Sequence, residues 1–231
     1  MQLPSEIPVM ILPNAILFPQ AMLPLYIFEP RYQQMLSDAL DSHRMFSVAM
    51  QKPGRTREIP SDVAGLGLIR ASVANRDGTS HLILQGIARV ELIEAVRYKP
   101  YRIQRIRALE TTGADSVAVD ALTAKVLELV SERLEQGLDL PVHLLKQFRQ
   151  ATEDFSDEEE PSAAFSLKQV IGYLAKLDNP DHLADLVSCT LLPRSMERQT
   201  ILETANLEER LKHLVHFLIA EIRRHKNKKD S

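Results

Sequence analysis

Five prolines fall within Ile7–Leu40, at positions 8, 13, 19, 24 and 30, and they restrict this apolar stretch more tightly than any other feature of the chain. The stretch reads IPVMILPNAILFPQAMLPLYIFEPRYQQMLSDAL. It contains two strand-like runs, IPVMIL and MLPLYIF, with a proline-punctuated turn between them. Proline cannot donate to a β-ladder, so these strands are expected at sheet edges or broken at the prolines. Pro30 suits the first position of a helix, where a missing N–H costs nothing. Tyr32, Met35, Leu36, Ala39 and Leu40 then follow at the spacing of one apolar helical face.

The following segment keeps strand character. Met45–Met50 reads as a strand, Gln51–Pro60 as a polar loop around Pro53-Gly54, and Val63–Ala74 as a further strand punctuated by Gly65 and Gly67. Those glycines allow a bulge or a close backbone approach. Asn75-Arg76-Asp77-Gly78 is a turn sequence, predicting a hairpin between Leu68–Ala74 and Ser80–Gln85. Ile87–Tyr98 and Tyr101–Leu109 read as two more strands around Lys99-Pro100. The second departs from strict alternation, so a bulge or a strand end is expected there.

Beyond Thr111-Thr112-Gly113 the periodicity becomes helical. Val119, Leu122, Val126, Leu129, Val130 and Leu134 form one stripe, which Gly137 is expected to close. Pro141–Ala151 reads as another helix and Glu153–Pro161 as a solvated acidic loop. Three further helices are expected before the last one. One carries Leu167, Val170, Ile171, Leu174 and Leu177. The next is capped by Asn179-Pro180 with a face of Leu183, Leu186, Val187 and Thr190, and a short one spans Ser195–Thr204. Asn206-Leu207-Glu208-Glu209 resembles a capping box. It opens a last helix with Leu207, Leu211, Leu214, Leu218 and Ile222 as a packing seam. The fold class is therefore α+β, with a β-rich subdomain over residues 1–112 and an α-helical bundle over 113–231.

Composition narrows the function. Tryptophan is absent and aromatic residues make up 5%, which argues against aromatic cages and base-stacking platforms. The single cysteine, Cys189, excludes internal disulfides and multi-cysteine metal sites, and it reads as a small core residue. Residues 1–110 hold thirteen Lys and Arg against ten Asp and Glu, and the remainder fifteen against twenty-one. That asymmetry suits two subdomains better than a uniformly basic nucleic-acid binder. No signal peptide or membrane-length apolar run is visible, so a cytoplasmic protein is expected, with no membrane partner.

The sequence carries none of the common catalytic motifs. No glycine precedes a lysine, which removes the P-loop, and Gly65-x-Gly67 lacks the third glycine of a dinucleotide turn. Gly-x-Ser-x-Gly is absent as well. His213, His216, Glu221 and His225 on the last helix are the nearest approach to a metal cluster, but a third ligand would have to come from elsewhere. No catalytic residue, metal or cofactor is assigned.

Three blocks carry a resemblance that spans almost the whole chain. They are LPNAILFPQAMLPLYIFEPRY (Leu12–Tyr32), GLIRASVANRDGTSHLILQGIARVELIE (Gly67–Glu94) and HLADLVSCTLLPRSMERQTILETANLEERLKHL (His182–Leu214). In this order they resemble the N-terminal, substrate-binding domain of Lon ATP-dependent proteases. The chain looks like a free-standing domain of that type, without the ATPase and protease modules. One departure is Gln20-Ala21, where the family usually has glycine, so the turn is not expected to need positive φ. The resemblance implies a PUA-like pseudo-barrel followed by a helical bundle. It also implies a non-catalytic protein-recognition role linked to proteolysis, with unfolded polypeptide or a specific protein as partner; weak self-association is compatible with it.

The residues assigned to that role are Asn14, Phe18, Pro19, Pro24, Phe28, Glu29, Arg31 and Tyr32, although Glu29 and Arg31 also suit a purely structural task at the helix N-terminus. The alternative is a PUA-like nucleic-acid module using Arg97, Lys99, Arg102, Arg105 and Arg107.

Overall fold

The computed structural model describes residues 3–54, 57–114, 116–136 and 167–229, with the side chains of 167–170, 228 and 229 left aside. The chain divides into two compact units. The first comprises Met1–Thr111 together with Arg194–Ala205, and the second Thr112–Pro193 together with Asn206–Ser231. The short helix Ser195–Glu203 therefore belongs with the strands, although it lies within the helical half of the sequence.

The first unit is built on six strands: β1 (Glu6–Leu12), β2 (Met22–Ile27), β3 (Met45–Met50), β4 (Val63–Ala74), β5 (Ser80–Arg97) and β6 (Arg102–Ala108), with helix α1 (Pro30–Leu40) between β2 and β3. Their order is β2-β5-β4-β3-β1-β6, and β6 pairs back onto β5, closing a five-stranded barrel with β2 added outside the ring. Among these six strands only β1 and β3 pair in parallel. Their connection has to cross over, and α1 lies in that crossover.

β1 is buried on both faces and lies between β3 and β6, not at an edge as its proline predicts. The pairing register removes the conflict. Ile106 N–H donates to Ser5 O, so alternate residues from Ser5 onward face β6 and the Pro8 nitrogen faces the other way. On that side the ladder with β3 begins only at Val9. Pro24 in β2 does lie in an edge strand, as expected.

The Ser80–Gln85 and Ile87–Tyr98 runs are not separate strands. They join into the single strand β5, with Ile87 left as an extra residue between the Leu66–Ala88 and Gly67–Gly86 pairs. The bulges along β6 lie on the β5 side, at Ile93 and Val96. Both residues are left unpaired and are about half exposed.

Gly65 and Gly86 mark a close backbone approach. A Cβ on either would lie 1.9 Å from a carbonyl oxygen, that of Leu17 or Phe18 respectively. The Leu17-Phe18 segment thus runs across the strands in contact with their backbone, with both side chains fully buried. The turn that follows has Gln20 at φ +66°, so positive φ is retained here without glycine, contrary to the sequence expectation.

The apolar face of α1 buries Tyr32, Met35, Leu36 and Ala39 against Met10, Phe46, Val48, Leu82 and Leu84. The Tyr32 hydroxyl accepts from Ile11 N–H at 3.2 Å and lies 3.3 Å from Ile11 O, tying helix to strand. A second cluster, including Ile7, Val9, Ile11, Ala64, Leu66 and Val90, fills the other face of the same strands.

The second unit contains α2 (Val117–Glu135), α3 (Leu167–Ala175), α4 (Pro180–Leu191) and α6 (Leu207–Lys229), and α5 is the Ser195–Glu203 helix of the first unit. The two asparagine caps form as the sequence predicts, Asn179 accepting from Asp181 N–H and Asn206 from Glu209 N–H, and Ser116 caps α2 by accepting from Val119 N–H. The α6 seam of Leu207, Leu211, Leu214, Leu218 and Ile222 is buried throughout. On α4 the buried face is Leu183, Ala184, Val187, Ser188 and Leu191, rotated from the expected one, so Leu186 and Thr190 are only half-buried. Ser188 can occupy the core because its hydroxyl donates to Ala184 O. Cys189 consequently falls beside the core and is half-buried, with Sγ on Leu186 O. Gly137, the Pro141–Ala151 helix and the acidic Glu153–Pro161 segment lie outside the described residues.

Candidate functional site

The distal halves of β4 and β5 extend as a hairpin closed by Asn75–Gly78, and β2 runs along the other side of β5. Alternation divides the residues of this arm between two faces. Leu82, Leu84 and Ile27 point into the core, while Pro24, Tyr26, His81, Ile83, Ala71 and Val73 share the opposite face. Two cross-strand rows result, Tyr26–His81–Val73 and Pro24–Ile83–Ala71.

This outer face is largely apolar and open. Tyr26 is 49% exposed, Val73 63% and Ile83 37%, and Phe28, just beyond β2, is 61% exposed. The Tyr26 ring stacks on Phe28 at 5.9 Å and lies 4.8 Å from the His81 ring. Scattered apolar residues on a surface require no explanation, but a contiguous patch of aromatic and aliphatic groups on paired strands marks an interaction surface.

The backbone of β2 adds a second property. Gly86 N–H donates to Ala21 O at 2.9 Å, which sets the phase of the strand. Leu23, Leu25 and Ile27 therefore bond to β5, and Met22, Pro24 and Tyr26 direct their backbone groups to the outer edge. Among the described residues no strand pairs with that edge.

The residues assigned from sequence separate into three groups. Pro24 and Phe28 are exposed on this arm. Phe18 and Tyr32 are core residues, 0% and 5% exposed, and Pro19 is half-buried. Burial pushes the Tyr32 phenol upward from its ordinary pKa. Asn14 is exposed but engaged, accepting from Ser195 and Arg198 of α5. Glu29 and Arg31 form part of a clamp: Arg31 donates to Glu29 and, through two nitrogens, to Glu58 at 2.5 and 2.7 Å. The hydrogen bond to Arg31 holds the Glu58 carboxyl below its usual range, and that to Glu58 raises the Arg31 guanidinium. Arg102 donates to Glu58 O, so the loop before β4 is pinned to α1 and β6.

The basic series is largely matched by other groups. Arg105 pairs with Glu94 and Glu6, and Arg107 with Glu91. Arg97 lies over the Tyr101 ring at 4.7 Å and Arg102 over Tyr98 at 4.8 Å. Lys99 belongs to the cis Lys99–Pro100 bond between β5 and β6. Among the described residues no group of His, Cys, Asp and Glu could hold a metal ion, and His213 and His216 lie against Phe217. No described helix is long and apolar enough to cross a membrane.

Tyr26, Val73 and Ile83 were not singled out from the sequence. The alternation signals Ile83, which is apolar at the outward phase of His81, whereas Val73 is brought to that face by the register shift at Arg70, which the local sequence does not show.

Comparison with known proteins agrees with this architecture. Residues 6–220 match the family model described as the ATP-dependent protease La (LON) substrate-binding domain. A Lon protease of Dictyoglomus thermophilum is 22% identical over 95% of the chain, and one of Anaeromyxobacter dehalogenans is 28% identical over 99%. The chain spans about a quarter of the length of each. Among solved structures, the N-terminal domain of Mycobacterium avium complex Lon protease superposes with a TM-score of 0.66 at 18% identity, covering 92% of this chain and 97% of that one. A Lon N-terminal domain protein from Xanthomonas campestris gives 0.58 at 18% identity, over 93% and 99%. The fold is that of a Lon N-domain, a strand-rich unit joined to a helical one. The chain belongs to the Lon substrate-binding domain family.

Proposed function

We propose that this chain is a non-catalytic polypeptide-recognition module. It engages apolar segments of unfolded or partly unfolded proteins through the outer face of the β2–β5–β4 arm and serves proteolysis by presenting them. The observation that carries this reading is the contiguous exposed surface of Pro24, Tyr26, Phe28, Val73 and Ile83. Membership of a substrate-binding domain family supports it. Recognition through apolar area tolerates many sequences, which suits a module that meets misfolded rather than native chains.

Titration with a fluorescent, reduced and alkylated protein against its native counterpart tests the proposal. The unfolded form is expected to bind, and the double substitution Tyr26→Ser with Phe28→Ser to weaken it at least about tenfold, since each ring buries enough area to contribute over 1 kcal/mol. Equal affinity for the two forms, or no effect of the substitutions, would remove the reading. Nucleic-acid recognition is less well supported, because Arg105 and Arg107 already face carboxylates. It predicts affinity falling steeply with salt, whereas apolar recognition predicts little change.

A further inference from the structure

The open edge of β2 defines how a polypeptide is held at this site, and the inference rests on the reading of the arm just given. We infer that the ligand is an extended segment of another protein that adds as a further strand along β2, bonding to the backbone of Met22, Pro24 and Tyr26 while its alternate side chains lie beside Pro24, Tyr26 and Phe28. Strand addition draws affinity from main-chain hydrogen bonds, which every sequence carries, and selectivity from the side chains on one face.

Two features of β2 support this occupant. First, the residues directed to the edge have their side chains on the outer apolar face, because hydrogen-bond direction and side-chain face alternate together along a strand. An incoming strand thus meets hydrogen-bonding groups and apolar cover in the same place. Second, the edge presents three carbonyls but only two donors, because Pro24 has no N–H.

That deficit discriminates against a second copy of this chain. In a two-fold antiparallel pairing centred on Pro24, two prolines oppose each other and both cross-bonds of that pair are lost. Shifting the register by two residues sets each proline against a donor-bearing residue and forfeits one bond in each half. A foreign strand loses a single bond, because its own N–H still reaches Pro24 O. A proline on an exposed edge blunts self-pairing, and here it does so while leaving the edge usable by other chains.

The test uses the full chain and a capped, monomeric synthetic peptide alternating valine or phenylalanine with serine or lysine. Two derivatives carry N-methyl groups on all the apolar residues or on all the polar ones, so side chains are kept and one set of donors is removed. Strand addition predicts that one set weakens binding at least about tenfold, with the other within about twofold. Antiparallel addition places the loss on the apolar residues and parallel addition on the polar ones. The unmodified peptide is also expected to slow amide exchange at Met22 and Tyr26 at least about tenfold.

Equal loss from both derivatives, or no loss from either, would overturn strand addition, as would unchanged exchange at those two amides. The Phe28→Ser variant keeps the two proposals separable. If it weakens binding of the unmodified peptide while the methylated sets behave alike, the apolar face stands and strand addition falls. If it has no effect, the reading of the face itself fails.

Discussion

A methyl group on Gly86 would have to share space with the Phe18 carbonyl, 1.9 Å away, and backbone cannot swing aside as the end of a long side chain can. Gly86→Ala is therefore expected to cost about 3 kcal/mol or more in chemical denaturation, at the upper end for overpacking. Gln20 presents the opposite case, a side chain where glycine would be easier. At φ +66° it holds a conformation that L-residues adopt at a cost of about 1–2 kcal/mol. Gln20→Gly is expected to stabilise by up to about 1 kcal/mol, after the larger unfolded-state entropy of glycine is set against the relief, and Gln20→Val to destabilise by about 1–2 kcal/mol. Urea midpoints of the two variants on either side of the parent would check this. The family signature located this turn but not its conformation, because the turn's φ is imposed by the Leu17-Phe18 segment passing over Gly65 and Gly86, contacts remote in sequence. The same passage buries Phe18, whose assignment to a binding surface rested on the signature and not on its residue type, which favours the core.

Arg31 and Glu58 link α1 to the loop before β4, and their pairing makes stability depend on pH. The folded state depresses the Glu58 carboxyl, so the stabilisation is complete above its ordinary value of 4.5 and is lost as pH falls through and below that value. Arg31→Met is expected to lower stability at neutral and alkaline pH, where the pair is fully formed, and to change little at acid pH where Glu58 is protonated, so the acid limb of the stability–pH curve flattens. The effect should stay below about 1 kcal/mol, because the two side chains are 35% and 45% exposed. Helix α5 is held more firmly. The buried Gln199 donates to Val63 O at 2.9 Å and to Glu203, and Gln199→Ala leaves a core carbonyl without its donor. A loss of about 2–3 kcal/mol is expected from thermal or chemical unfolding. Elements of this kind were legible to different degrees. The faces of α1 and α6 follow from apolar spacing alone, and the two asparagine caps from local chemistry. The α4 face did not, because Ser188 satisfies its own hydroxyl within the helix and so passes for a core residue. Nor did the continuity of β5, since a glycine beside a bulge reads locally as a break. At the site, Pro24 and Phe28 were legible as exposed apolar signature residues, whereas the edge of β2 appears only once strand order is known.

The first unit is assembled from two separated stretches of chain, Met1–Thr111 and Arg194–Ala205. A fragment ending at Thr111 therefore lacks the helix that donates to Val63 and Asn14. It is expected to be less stable than the unit in the whole chain, and to regain part of the difference when a peptide spanning residues 194–205 is added. Circular dichroism melts with and without the peptide would show it, and coincident melts would contradict it. Synthesis gives the same arrangement a consequence in time. A chain grows from its N-terminus, and its domains generally fold as they emerge. All six strands leave the ribosome well before Gln199 does, so the seat of α5 on Val63 stays vacant while the intervening helices are translated. The first unit is thus completed late, by a contact spanning 136 residues, and a polypeptide truncated anywhere in that interval carries a strand-rich unit with an unfilled seam. Such a product has the exposed backbone and apolar surface of the unfinished chains that a module of this kind is proposed to recognise.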